Sequence, residues 1–398
     1  MKILQISKYP PIQGGVSAEC FWLAQTLSEL GHSILVLTNS EEVEPEYKVE
    51  WTDVDKAFCD KRRGDHPVIV VSTVHDDNHY YIPRGTPIVS KLVSKGLELI
   101  ADFKPDFIFS SYLEPYGVAG AFLSAVTGIP HATTHAGSDV GRLMKTDGLA
   151  KCYEMIFQRA CAVVTNRGDE LGILPEKRVP VQSVRLRPEL FYPKPRSSNG
   201  TIVLGVYGKV GRQKGTSELL TVTSRLIAKG MNIELRCLWG GKGMGAVMQT
   251  ISSLGLERDV HVSSFVPHWR VPEFIWGCDA IMFLENNFPI LEHYPLVPLE
   301  ALACGRPVLM TSEIARKGIY RRLHEERCLC VIPSPFTLDS LEISLSDLLQ
   351  KLPSLQSRAL TAFDAHFRNE SAIWRTGERF DQILKLCGCD GASGSHRI

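Results

Sequence analysis

The sequence predicts an α/β fold of two consecutive doubly wound halves, each a parallel sheet wrapped by helices, facing each other across a cleft. Three observations lead there. Short apolar runs alternate with segments of helical period along nearly the whole chain. The strand, glycine loop, helix and strand that open the sequence begin afresh near residue 200. A length of 398 residues exceeds what one ordinary hydrophobic core serves and suits two.

The elements follow in order. "KILQIS" reads as a buried strand, "KYPPIQGG" as a loop, and "VSAECFWLAQTLSELG" as an amphipathic helix. Cys20, Leu23, Ala24 and Leu27 share one face of it, and Gly31 ends it. "SILVLT" closes the first crossover unit. Residues 41–95 are less regular, with one strand in "HPVIVVSTV", and are the part free to shape a binding surface. A helix through Leu97 to Phe103, the strand "DFIFSS", the helix "VAGAFLSAVTG" and the short strand "PHATTHAG" come next, then a helix and the strand "AVVTN". "RVPVQSVRLRPELFYPKPRSSNG" holds too much proline for a packed element and marks the interdomain boundary. The second half reads "TIVLGVYG" (strand), "KVGRQKG" (basic glycine loop), a helix closed by Gly230, then the strands "IELRCLWGG", "VHVSSF", "AIMFLEN", "PVLMTS" and "CLCVIP". Helix dominates from about Ser340, and a polar tail follows the last one. The domains are thus 1–193 and 200–370, with a helix at 371–389 expected to cross back to the first domain.

Composition narrows the function classes. Lysine plus arginine number 44 and aspartate plus glutamate 44, so the zero net charge gives no reason to expect nucleic acid or an anionic membrane as a bulk partner. The longest apolar run, "YGVAGAFLSAVTGIP", is broken by glycine, serine and threonine, so no membrane insertion is expected. The N-terminus reads as a strand and not as a signal peptide. Eleven cysteines show no disulfide framework or metal spacing, as expected for reduced thiols in the cytoplasm.

Four segments carry chemistry. In "LENNFPILEHYPLVPLEALACGRPVL", seven residues separate Glu292 from Glu300, with Pro298 in the first turn of a helix that runs to Ala303. A carboxylate before a helix N-terminus and another inside it can bracket a polyhydroxylated ligand, while the free N–H groups attract an anion. In "GVYGKVGRQKG", Gly208, Lys209, Arg212 and Lys214 follow a strand and suit a diphosphate. Gly14 and Gly15 form a glycine pair after the first strand, and "THAGSDVGRL" offers His135 and Asp139 at a strand end. The plain alternatives are surface glutamates, solvated turn charges and a structural histidine.

The glutamate segment resembles the signature of the retaining GT-B glycosyltransferases of group 1 (the family-four type), which include sucrose synthase, glycogen synthase and many bacterial mannosyl- and glucosyltransferases. "EALACGRPVL" and the glutamate spacing carry the likeness. It implies two Rossmann-like domains, the first facing the acceptor and the second holding the donor. It further implies that Glu300 binds the donor ribose, that Glu292 contacts the donor sugar, and that backbone amides near Leu296 and Val297 lie close to sugar and phosphate. Lys209 stands where the family has arginine and Lys214 matches its lysine, with Arg212 sharing the phosphate role. Gly14 and Gly15 would approach the phosphates, and His135 with Asp139 would lie beside the reacting sugar. The chain departs from the pattern at His293, Tyr294 and Pro295, where small residues are usual, so Tyr294 should reshape the sugar pocket. It departs again at Arg185 and Arg187, which replace glycine and aspartate.

The implied activity is transfer, with retention, of a hexose-type sugar from a nucleoside-diphosphate donor. A UDP-sugar is favoured and GDP-mannose comes next. The acceptor is a soluble small molecule or glycan, and the nucleotide sugar is a co-substrate, with no separate cofactor or metal. The competing readings are a nucleotide-sugar epimerase on the same fold, a dinucleotide-dependent oxidoreductase and a non-catalytic sugar-binding protein. Asp53-Val54-Asp55 and "HDDNHYY" (from His75) have metal-ligand residue types. The first reads as solvated, and the second has no partner cluster.

Overall fold

The computed structural model describes residues 1–61, 66–75, 85, 87–181, 186–196, 200–288, 294–366 and 373–389. Arg185, Glu292, His293 and residues 76–79 fall outside them.

The first sheet holds β1 (Lys2–Ser7), β2 (Ser33–Thr38), β3 (Val68–Ser72), β4 (Phe107–Ser111), β5 (His131–Thr134), β6 (Ala162–Val164) and β7 (Arg178–Val179). The second holds β8 (Ile202–Lys209), β9 (Ile233–Gly240), β10 (Val260–Ser263), β11 (Ala280–Phe283), β12 (Val308–Thr311) and β13 (Cys330–Ile332). Strand orders are β3-β2-β1-β4-β5-β6-β7 and β10-β9-β8-β11-β12-β13. All pairings between these strands are parallel. Central strands are covered on both faces, which is why β1, β2 and β4 read as continuous apolar runs rather than alternating ones. Strand order reverses between β1 and β4 and again between β8 and β11. The connections diverge at those two points and leave a crevice at the carboxyl ends of the strands.

Two elements differ from the sequence expectation. The proline-rich boundary segment contributes β7, a two-residue edge strand paired with β6. The third helix starts at Ile88 rather than near Leu97. The helix Ile373–Leu386 packs on the first sheet, where Phe380 lies 5.9 Å from Phe107 and 5.9 Å from Phe109.

Asp55 is the largest correction. Asp53 is 98% exposed as expected, but Asp55 is only 1% exposed, inside a helix Asp53–Lys61. Thr52 and Asp55 form a capping box, with the Thr52 N–H donating to Asp55 Oδ2 at 2.9 Å. Asp55 Oδ1 accepts the Trp269 Nε1–H of the second domain at 2.9 Å. Phe58 stacks on the same indole at 5.2 Å, and Phe21 lies 4.7 Å from it. The irregular region thus serves partly as an interdomain contact. Asp55→Ala removes both a cap and the partner of a buried indole N–H, so it should cost about 2–3 kcal/mol in urea unfolding. Asp53→Ala should stay within about 0.5 kcal/mol of the parent protein.

Candidate active site in the interdomain cleft

The crevice is a cleft of about 1530 Å³ lined by both domains. Its C-terminal wall is built around the short helix Val297–Ala303, where Pro298 occupies the first turn and so forfeits no hydrogen bond. Gly305, at φ +70°, turns the chain out of this helix into β12. Leu296, Val297 and Glu300 all line the cleft. Glu300 is 3% exposed and both its oxygens are engaged. Oε2 accepts the Tyr207 hydroxyl, and Oε1 lies 2.7 Å from His268 Nε2. The Trp22 indole, from the first domain, reaches His268 Nδ1 at 2.7 Å. An indole N–H only donates, so Nδ1 accepts and Nε2–H donates to Glu300. Burial and the Glu300 charge push Tyr207 well above its ordinary range, which keeps it a donor. Each carboxylate oxygen retains a second acceptor site for a ligand hydroxyl.

The glycine loop places two amines in the same wall. Lys214 Nζ contacts the carboxylate of Glu285, which is fully buried just past the end of β11. Burial, followed by the charge of Lys209, lowers Lys214 to about 8. Lys209 sits over the Tyr47 ring of the first domain at 5.0 Å, and burial lowers it too. Gly208, just before Lys209, lines the cleft with φ +127°, a backbone that a side chain would disfavour. Arg212 does not join this group. The segment Arg212–Lys214 is one 3₁₀ turn, in which residues two apart point in different directions, so Arg212 is exposed away from the cleft.

On the N-terminal wall, Gly14 (φ +128°) caps the helix Gly15–Glu29 and both glycines line the cleft. His135 lines it too, with Nε2 2.9 Å from the Thr165 hydroxyl, and burial lowers its pKa so that the ring is neutral. Asp139 is not exposed to the cleft at all. It is fully buried, and Oδ2 accepts the N–H groups of Ala136 at 2.8 Å and Leu113 at 3.0 Å. Its expected contact with the donor therefore becomes support for the loop that carries His135. Burial raises its carboxyl to about 6. Arg187 is also structural. It donates to Glu29 at 2.9 Å and Thr26 at 2.8 Å and stacks on Trp22 at 5.0 Å, clamping the domain exit onto the first helix. Tyr294 is 49% exposed at the cleft and lies parallel to Tyr320, with ring centroids 6.4 Å apart.

Sequence reasoning passed over Lys8, Tyr112, Tyr207, His268 and Glu285, all of which line the cleft. Lys8 and Glu285 follow the carboxyl ends of β1 and β11, where a doubly wound sheet places its ligand contacts, and that position was the available signal. Tyr112, just past β4, has φ 81° and ψ 132°, a backbone that costs a tyrosine about 1–3 kcal/mol.

No curated protein matches this sequence. Residues 189–319 match the model of the family "Glycosyl transferases group 1". Among solved structures, sucrose-phosphate synthase from Thermosynechococcus elongatus is similar at a TM-score of 0.67 and 16% identity, over 97% of this chain and 100% of that one. Anabaena HepE in complex with UDP-glucose gives 0.67 and 16%, over 97% and 99%. Staphylococcus aureus MnaA with UDP gives 0.59 and 13%, over 99% of both. The parallel sheets, the cleft and the matched segment agree: the chain has the GT-B fold, and its residues 189–319 match the model of the group 1 glycosyl transferases.

Proposed function

We propose that the protein transfers a hexose-type sugar, with retention, from a UDP-sugar to a soluble acceptor in the cytoplasm. The observation that carries this reading is the meeting of Glu300, held by Tyr207 and His268, with Lys209 and Lys214 in one cleft wall. A carboxylate with spare acceptor sites suits a ribose diol, and two amines suit a diphosphate. The second domain, 200–370, holds the donor, and the first, 1–193, holds the acceptor. UDP in the HepE and MnaA structures supports the choice of base.

In the reaction, the bond from the anomeric carbon to the diphosphate oxygen breaks as the acceptor oxygen bonds to the same face. The departing phosphate oxygen takes the acceptor proton. Lys209, Lys214 and the N–H groups near Leu296 and Val297 stabilise the growing negative charge. These groups fill the role a divalent ion would take, so the reading is metal-independent. Neutral His135 orients the sugar, Gly14 and Gly15 admit the phosphates, Glu292 holds sugar hydroxyls and Tyr294 bounds the sugar pocket.

A thermal-shift panel with UDP, GDP, ADP, TDP and NAD tests the reading, since a ligand bound only by the folded state raises the melting temperature. UDP at 100 times its dissociation constant should stabilise by about 2.7 kcal/mol. A shift with NAD alone sinks the transferase reading, and a larger shift with GDP replaces UDP by the guanine nucleotide.

A further inference from the structure

The first-domain wall holds a cationic group that the donor reading leaves without a task. Lys8, just past β1, lines the cleft with its ammonium 4.6 Å above the Tyr112 ring. Among the described residues no carboxylate lies within ion-pair distance of it. The carboxylates whose charge reaches it are Asp139, whose Oδ2 is committed to two backbone N–H groups, and Glu44. A half-buried ammonium without a counter-charge is unfavourable unless something anionic comes to it. Burial, followed by the charge of Lys209, accordingly lowers the Lys8 pKa.

Three neighbours complete the patch. Tyr112 adopts its positive-φ backbone where it turns its ring beneath Lys8, and its hydroxyl is hydrogen-bonded to Ser138. Arg142, at the end of the helix Gly137–Gly141, is exposed at the cleft and close enough to Tyr112 for its charge to be felt there. No carboxylate among the described residues pairs with Arg142. The chain as a whole is neutral, yet cationic side chains outnumber carboxylates among the described residues of this cleft. Lys209 and Lys214, on the opposite wall, already match the charge of a diphosphate.

We propose that the acceptor carries an anionic group, a phosphate or carboxylate, which Lys8 and Arg142 hold against Tyr112 and Ser138. This inference rests on the transferase reading and names the acceptor class for it. The two cations select the anion, and whichever of the two hydroxyls does not donate to the other gives it a further hydrogen bond. The acceptor hydroxyl then reaches the anomeric carbon from the first-domain side.

The test is titration calorimetry on the full chain, first with UDP alone and then on UDP-loaded protein. The second set of probes is inorganic phosphate, glucose 6-phosphate, fructose 6-phosphate, glucuronate and the neutral parents glucose and fructose. At least one anionic probe should bind UDP-loaded protein about tenfold or more tightly than its neutral parent, the value of one good charge-assisted hydrogen bond. Lys8→Met and Arg142→Met should each abolish that preference while leaving UDP affinity within about threefold. Tyr112→Phe keeps the ring and serves as a folded control with a smaller loss. The proposal is overturned if no anion is preferred or if no probe binds. It is also overturned if Lys8→Met weakens UDP as much as it weakens the anion, which would give Lys8 to the donor diphosphate. Absence of nucleotide binding in the first titration instead strikes the transferase reading itself.

Discussion

Glu300→Ala weakens UDP binding by roughly 30- to 300-fold, because two hydrogen bonds from ribose hydroxyls to one carboxylate vanish together. Calorimetric titration of UDP reads this directly. The substitution also leaves the His268 Nε2–H facing an empty site, while the Tyr207 hydroxyl keeps the Val297 carbonyl at 3.2 Å. An unsatisfied buried donor costs about 1–3 kcal/mol of stability, so binding must be measured well below the melting temperature. Glu300→Gln keeps the shape and one acceptor, and its loss should be nearer tenfold. Unchanged affinity in the alanine variant would remove Glu300 from the ribose site.

Lys214→Met lowers kcat by about 100- to 1,000-fold, the usual effect of deleting one preorganised stabiliser of a developing oxyanion. The donor KM should change far less, since the charge on the leaving diphosphate grows mainly in the transition state. Methionine fills the space of the lysine stem but removes the ammonium that contacts the buried Glu285 carboxylate. The double variant Lys214→Met with Glu285→Gln should therefore recover stability without recovering rate. Lysine stabilises charge only when protonated, and burial lowers Lys214 to about 8. The rate thus holds below that pH and declines as pH rises through it. Lys214→Arg should move the alkaline limb out of the accessible range, because guanidinium stays charged. A limb that stays in place in the arginine variant would assign it to another group.

The alternation of short apolar runs with segments of period 3.6 made both sheets legible, because each strand and helix writes its own burial pattern locally. The helix carrying Glu300 was legible for the same reason, with Pro298 at its start and Gly305 at its end. Side-chain direction inside a single tight turn was not, and Arg212 shows it: nothing in "GRQK" states which of its cations faces inward. Contacts between residues more than two hundred positions apart leave no local periodicity either. Asp55 therefore looked solvated although Trp269 holds it, and His268 went unnoticed between prolines. The Thr52–Asp55 capping box was the one visible hint that "TDVD" starts a helix. Asp139 was found in the right loop but on the wrong side of it, since its buried position depends on the Leu113 amide from another strand end.

The imidazole of His268 touches the indole of one domain and the carboxylate of the other at once. Any free energy that nucleotide binding adds to the Glu300 end is therefore shared with domain apposition, and the linkage is reciprocal. Ligand occupancy and closure become one equilibrium, so a perturbation at Trp22, which belongs to the first domain, registers as lost affinity in the second. The two halves should consequently melt as a single cooperative unit, which calorimetry would read as one transition. A fragment beginning at residue 200 would lose grip on its nucleotide although Lys209, Lys214 and Glu300 are all still present.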